Sequence, residues 1–238
     1  MEKVITYTNS DGDELNGVLT KGDTSKCVIF THGFLSDKDE NTLYSSLAET
    51  LARHDISSFR FDFRGCGESE DVPLSFAGMK DDLSASVSLI QTVGYDEIYL
   101  LGHSLGAAPI IASDIHTEHV ILLTPFYKAD KPRANLLLDE FGDDDLITIT
   151  NRFNVEHRLP RSFAEKLGSV NLENRLEKIS KKTTAFLANS DEIMPSNYYE
   201  HILKSKKKFN NVVLLDTNHF FTTNRKPLFD HILSLIKD

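Results

Sequence analysis

Six short runs in this chain are almost wholly apolar: CVIF from Cys27, SFRF from Ser58, EIYLL from Glu97, HVILL from His119, TTAFLA from Thr183 and VVLL from Val212. A strand with one solvated face alternates apolar and polar residues; a run without alternation has both faces buried. That condition is met by a parallel sheet covered by helices on each side. Segments of helical period separate the runs. Leu43, Leu47 and Leu51 recur every fourth residue, and Phe76, Met79, Leu83, Val87 and Ile90 follow the same stripe pattern. A further helix is expected to begin near Pro195, and the last one repeats Leu228, Ile232, Leu235 and Ile236. Before the first run, residues 2–8 and 14–20 alternate loosely about Asn9-Ser10-Asp11-Gly12-Asp13, the pattern of an antiparallel hairpin. The expected fold is α/β, with a mostly parallel central sheet of about eight strands, opened by that hairpin and flanked by helices.

The 238 residues, 40% of them hydrophobic, supply enough apolar material for one sizeable core, so residues 1–238 are read as a single domain. One stretch breaks the alternation. From Tyr127 to about Gly168 the sequence is mixed, and this length exceeds an ordinary connection, so an inserted cap or lid is expected over 127–168.

No apolar run approaches the roughly 20 residues that span a bilayer. The first residues, MEKVITYTNSDGDEL, lack a basic segment followed by an apolar one, so a cytoplasmic protein without integral membrane association is expected. Acidic residues outnumber basic ones 36 to 26, the wrong sign for neutralising phosphates, which argues against nucleic acid and anionic membranes as partners. The basic run Lys204 to Lys208 reads as a solvated helix end. Two cysteines, Cys27 and Cys66, make neither a disulfide framework nor a zinc site. The acidic run Asp139 to Asp145 lacks the alternating ligands of a calcium loop.

The chemistry is concentrated in Gly102-His103-Ser104-Leu105-Gly106, which follows the run ending at Leu101 and precedes a small-residue helix. A sharp strand-to-helix turn of this kind holds a serine hydroxyl exposed and tolerates only small residues two places before and after it. It also sets the Leu105 N–H at a helix start, aimed at an oxyanion forming above Ser104. Pro109 removes one early backbone hydrogen bond and can bend that helix.

Serine is a weak nucleophile without a base held in one tautomer by an acid. Two later runs end in suitable groups: TTAFLA leads to Asn189-Ser190-Asp191-Glu192, and VVLLD leads to Thr217-Asn218-His219-Phe220. Asp191 suits the strand-end acid better than its neighbour Glu192, and the chain order is then Ser104, Asp191, His219. His103 belongs to the turn. His54, His116, His119, His157, His201 and His231 are read as satisfied surface histidines. After the first parallel run, Thr31-His32-Gly33-Phe34 offers the Phe34 N–H as a second oxyanion donor and the Phe34 ring as a floor for an acyl pocket.

With these segments in view, the chain resembles α/β-hydrolases of the serine esterase group. It is most similar to small bacterial enzymes grouped with cinnamoyl (feruloyl) esterases and with monoacylglycerol lipase-like and serine-aminopeptidase-like hydrolases. The resemblance runs from Cys27 to the C-terminus through THGFLSDKDE, FRFDFRGCGES, LLGHSLGAAP, LPRSFAEKL, SDEIMP and TNHFF. It implies that Asp62, Arg64, Gly65, Gly67 and Ser69 form a loop bracing the oxyanion side. Leu105 stands where many cinnamoyl esterases carry Gln. The implied activity is hydrolysis of small or medium carboxylic esters without metal or organic cofactor, on a small-molecule substrate, in a monomer or a homodimer. Monoacylglycerol or lysophospholipid lipase and thioesterase are the alternatives, and a non-catalytic binding protein on the same fold is the third.

Overall fold

A computed structural model describes residues 2–151, 154–194 and 197–237. Its order is β1 (Glu2–Thr8), β2 (Glu14–Thr20), β3 (Lys26–Thr31), α1 (Leu43–Ala52), β4 (Ser57–Phe61), α2 (Phe76–Val93), β5 (Glu97–His103), α3 (Ala107–Ala112) and β6 (His119–Leu123). Then follow α4 (Lys131–Asp139), β7 (Leu146–Thr150), β8 (Glu156–Pro160), α5 (Arg161–Leu167), α6 (Glu173–Ile179), β9 (Thr183–Ser190), α7 (Glu200–Lys204), β10 (Asn211–Asn218) and α8 (Arg225–Lys237).

Eight strands make one sheet in the order β1-β2-β4-β3-β5-β6-β9-β10. β1 and β2 pair antiparallel, β2 meets β4 antiparallel, and every later pairing is parallel. This is the expected arrangement, and each of the six apolar runs lies in one of the parallel strands. Side-chain alternation along β3 explains why they read as unbroken: Val28 and Phe30 pack with α1 and α8, whereas Cys27 and Ile29 pack with α2 and α3. Both cysteines are buried thiols.

β3 sits between β4 and β5, so the chain leaves β3 toward one edge and returns past it to build the other half of the sheet. The loops after β3 and β5 therefore diverge and open a crevice at the carboxyl ends of the strands, where open α/β sheets bind ligands.

Between β6 and β9 the chain makes an excursion closed at its neck. Ala129 N–H donates to Val170 O at 2.7 Å, and Leu172 N–H donates to Tyr127 O at 2.8 Å. Above that neck stand α4, the hairpin β7–β8 and α5. The hairpin is written in Leu146-Ile147-Thr148-Ile149-Thr150, a strictly alternating strand with one face half-buried. Phe141, Leu159 and Phe163 are buried and join the core on the α2 face, so the excursion is packed down onto the sheet's helices. The expected helix start at Pro195 lies outside the described residues.

Candidate active site

The strand β5 ends in a single 3-10 turn, Ser104–Gly106, before α3 begins. Ser104 has φ +50°, a left-handed conformation that a serine adopts only where its surroundings enforce it. The enforcement is close packing on both sides. A Cβ on Gly106 would lie 2.2 Å from Thr31 O and 2.5 Å from His32 O; one on Gly102 would lie 2.8 Å from Gly106 O. The turn is also tied down, since the Thr31 hydroxyl donates to Gly106 O at 2.8 Å and Phe126 N–H donates to Ser104 O at 2.8 Å. Pro109 falls in the first turn of α3, where a missing N–H costs no intrahelical bond.

Ser104 Oγ lies 3.0 Å from His219 Nε2, and His219 Nδ1 lies 2.9 Å from each carboxylate oxygen of Asp191. Nδ1 faces only acceptors, so it carries the proton, and Nε2 is left to accept from the serine hydroxyl. His219 follows β10, whose register shifts between Leu215 and Asn218; such a bulge re-aims the residue after it. Asp191 Oδ1 accepts from Ile193 N–H at 2.9 Å and Met194 N–H at 2.8 Å, and Tyr199 donates to Oδ2 at 3.2 Å. Glu192 points elsewhere and accepts the backbone N–H of His219 at 3.0 Å.

Burial pushes the Asp191 carboxyl up, but the bond to His219 and the two backbone donors outweigh it and hold the group below the usual aspartate range. Burial dominates at His219 and holds it below the ordinary histidine value, with the neighbouring His103 acting in the same direction and Asp191 opposing.

The loop after β3 supplies the opposite wall. Phe34 lines a cleft of about 300 Å³ together with Ser104, His219, Ile193 and Phe220. It also borders a smaller pocket of about 50 Å³ enclosed by Ser104, Leu105, Phe126, Leu167 and Met194. Its ring stacks on Phe163 at 5.6 Å, and Phe163 stacks on Phe76 at 4.8 Å. His32 accepts Phe63 N–H at 3.1 Å through Nε2, which links the ends of β3 and β4.

Part of the loop of Asp62 to Ser69 braces this side, Phe63 through His32, and Asp62 and Glu68 through Lys38. Asp62 accepts Lys38 N–H at 2.6 Å and its ammonium at 2.7 Å, so it anchors the chain beyond Phe34. Arg64 turns the other way, onto Asp11, Asp13, Asp81 and Asp82, and joins the opening hairpin to α2.

Residues 28–230 match the alpha/beta hydrolase family. The chain belongs to that family. Among its relatives, the uncharacterized protein YfhR of Salmonella typhimurium is 30% identical over 121 residues, which are 47% of this chain and 40% of YfhR. The matched segment thus spans less than half of that relative's length. Its fold is shared with GrgF from Penicillium sp. sh18 (TM-score 0.81, 18% identity, 100% of this chain and 98% of that one). Est1E from Butyrivibrio proteoclasticus, solved with ferulic acid, superposes with TM-score 0.73 at 18% identity over 98% of this chain and 100% of its own. The Pyrococcus furiosus esterase Pf2001 gives 0.74 at 20% identity over 100% and 92%.

Several residues at this candidate site escaped the sequence reading. Glu40 is buried beside His103, with Nδ1 of the imidazole 3.1 Å from Oε1. No spacing rule separates Glu40 from its neighbours in Asp37-Lys38-Asp39-Glu40. Asn151, at the end of the excursion's hairpin, donates to Leu35 O at 2.8 Å, and Arg133 of α4 donates to Ile193 O. His119 and His157 prove buried rather than superficial: His119 meets the Thr184 hydroxyl, and His157 bonds Gly65 O and Asn151. No cluster of three or more potential metal ligands occurs among the described residues, and none of their helices is long and apolar enough to cross a membrane.

Proposed function

We propose that this hydrolase cleaves carboxylic esters by two-step acyl transfer, with Ser104 as nucleophile, His219 as general base and acid, and Asp191 as the group that orients the imidazole. The observation that carries the reading is the continuous file from the Asp191 carboxylate through His219 to Ser104 Oγ, at 2.9 and 3.0 Å. In the first step Oγ bonds to the ester carbonyl carbon while its proton passes to Nε2. The N–H groups of Phe34 and Leu105 receive the charge that collects on the carbonyl oxygen. Collapse expels the alcohol, which takes the proton from His219, and leaves an acyl-serine. Water then repeats the sequence and releases the acid.

The two cavities meeting at Ser104 suggest how an ester lies. The alcohol must leave beside His219, so the 300 Å³ cleft suits the leaving group and the 50 Å³ pocket beside Leu105 suits the acyl group. Acyl groups of about two to four carbons fit that pocket, with a larger alkyl or aryl alcohol opposite. Ferulic acid bound to Est1E supports an aromatic arm. A second reading, lipase action on monoacylglycerol or lysophospholipid, draws on a shallower apolar groove of about 810 Å³ lined by Leu136, Leu146, Ile147 and Ile149, which shares Phe34 and Leu167 with the acyl pocket.

A panel of p-nitrophenyl esters from acetyl to dodecanoyl, with methyl ferulate, tests the reading. Ser104→Ala is expected to lose about 10³ to 10⁶ in kcat while keeping its fold, because a triad acts as a unit. A fluorophosphonate should label Ser104. Retention of more than about a tenth of the activity in that variant would overturn the nucleophile assignment.

A further inference from the structure

A second carboxylate–imidazole pair lies directly behind the first. His103 Nδ1 is 3.1 Å from Glu40 Oε1, and His103 Nε2 is 2.9 Å from the backbone carbonyl of His219. Nε2 donates to a carbonyl, and Nδ1, buried without a hydrogen-bond partner, lies at ion-pair distance from a carboxylate, an arrangement that suits the protonated ring. Glu40 is used from both ends as well, because its other oxygen accepts Gly33 N–H at 2.5 Å. The pair thus spans the site, from the turn that presents Phe34, through the residue before Ser104, to the backbone of His219. Glu40, His103 and His219 are all at most 4% exposed. The edge of Phe221 closes over the His103 ring.

Backbone conformation marks the same place. Glu40, Asn41 and Thr42 have φ of +45°, +54° and +64°, three consecutive left-handed residues without a glycine among them. Such strain persists only where surrounding contacts fix it, and the contacts that fix Glu40 are those to Gly33 and His103.

We infer that Glu40 and His103 are positioning residues: a buried ion pair that locks the loop of His219 to the oxyanion turn and sets a positive charge beside the His219 ring. The inference rests on the reading of His219 as the base. The two imidazole rings are 5.1 Å apart, and a cation at that distance opposes a second one. The groups facing His219 are Asp191, which favours its protonation, Glu192 on its backbone N–H, and His103, which disfavours it. Those facing His103 are Glu40, His219 and, farther off, Asp191; burial alone would push His103 down, but Glu40 holds it above the ordinary histidine value. Arg133 lies across the cleft. With His103 charged, His219 stays neutral, and so competent as a base, to lower pH.

Glu40→Gln separates charge from geometry. The amide oxygen can keep Gly33 N–H and the amide nitrogen can donate to His103 Nδ1, so the fold is kept and the cation is lost. The acid limb of kcat/KM is expected to move up by about half to one pH unit, with the plateau within about threefold of wild type. Glu40→Ala, which also loses the ties, is expected to lower plateau kcat roughly tenfold or more, since small displacements of catalytic groups cost that much. Rescue of the plateau by Gln but not Ala distinguishes positioning from mere stability. Imidazole resonances of the unmodified protein provide a test that needs neither variant nor ester: His103 should remain protonated above the pH at which His219 deprotonates. An unmoved acid limb in folded Glu40→Gln, or a His103 that titrates below His219, would overturn the inference. Failure of fluorophosphonate to label Ser104 would instead remove the esterase reading, and the His103 titration would still decide the ion pair.

Discussion

The Arg133 guanidinium, on the first turns of α4, donates to the backbone carbonyl of Ile193, two residues beyond Asp191. At the tip of the excursion's hairpin, Asn151 donates to Leu35 O at a position one residue beyond Phe34. The segment between β6 and β9 therefore grips the loop of Asp191 with one side chain and the loop of Phe34 with another. Arg133 also lines the cleft, the small pocket and the groove. Arg133→Ala should leave the sheet intact and loosen the loop that carries Asp191. We expect kcat/KM to fall roughly tenfold with a stability loss of about 1 kcal/mol, the ordinary worth of one intramolecular hydrogen bond. Steady-state kinetics beside a urea melt measures both, and wild-type kcat/KM would show that the contact does not hold the acid.

Gly106 meets two carbonyl oxygens of the β3 end at distances no Cβ tolerates. Both contacts are backbone, so no side chain can swing aside. Gly106→Ala should cost about 2 to 3 kcal/mol or more, and should cut activity beyond its effect on stability by pushing the Ser104 turn away from the oxyanion loop. A denaturation midpoint equal to wild type would contradict the packing described.

The pH dependence follows from His219. Only the neutral ring accepts the serine proton, so activity is lost as the pH falls through its folded pKa. Burial first, and His103 second, hold that value below the ordinary 6.5. Half-maximal kcat/KM on the acid side is therefore expected below about pH 6.5. Stability moves the same way: the folded His219 takes up its proton less readily than the unfolded chain, and the depressed Asp191 loses its stabilising contribution as pH falls through its own folded pKa. The raised His103 acts in the opposite direction and gains stability on acidification, so the two signs are read in Glu40→Gln, where a melting temperature that rises on acidification from neutral pH would contradict both.

Leu167, buried at the end of α5, borders both the small pocket proposed for the acyl group and the apolar groove. Truncation should join the two spaces. In wild type, activity on p-nitrophenyl esters is expected to peak at acetyl to butyryl and to drop by octanoyl. In Leu167→Ala the optimum should move to longer chains, with gains on octanoyl of about tenfold, since each excess methylene against a closed wall is worth 1 to 3 kcal/mol. An identical chain-length profile in the folded variant would show that this wall does not select the acyl group.

Much of the sheet was legible because its signals are local. An apolar run without alternation reports burial on both faces, and CVIF, EIYLL and HVILL became β3, β5 and β6 in the positions expected. The turn at Ser104 was legible for the same reason: Gly102 and Gly106 are required by contacts their own positions in the chain foretell. The two partners proposed for the serine could be named from strand ends alone, since every parallel strand delivers its following residue to one face of the sheet.

Tertiary structure decided everything that depends on which loops meet. Glu40 is one of three acids in four residues, and nothing in its sequence neighbourhood distinguishes it from the exposed Asp37. Only the crossing of the β3 loop behind β5 buries it against His103. Arg133 and Asn151 are likewise ordinary polar residues until the excursion folds back over the crevice. Hydrophobic periodicity is a property of one segment, whereas a buried ion pair or a hydrogen bond between loops is a property of two, and a segment's own pattern carries no record of its partner.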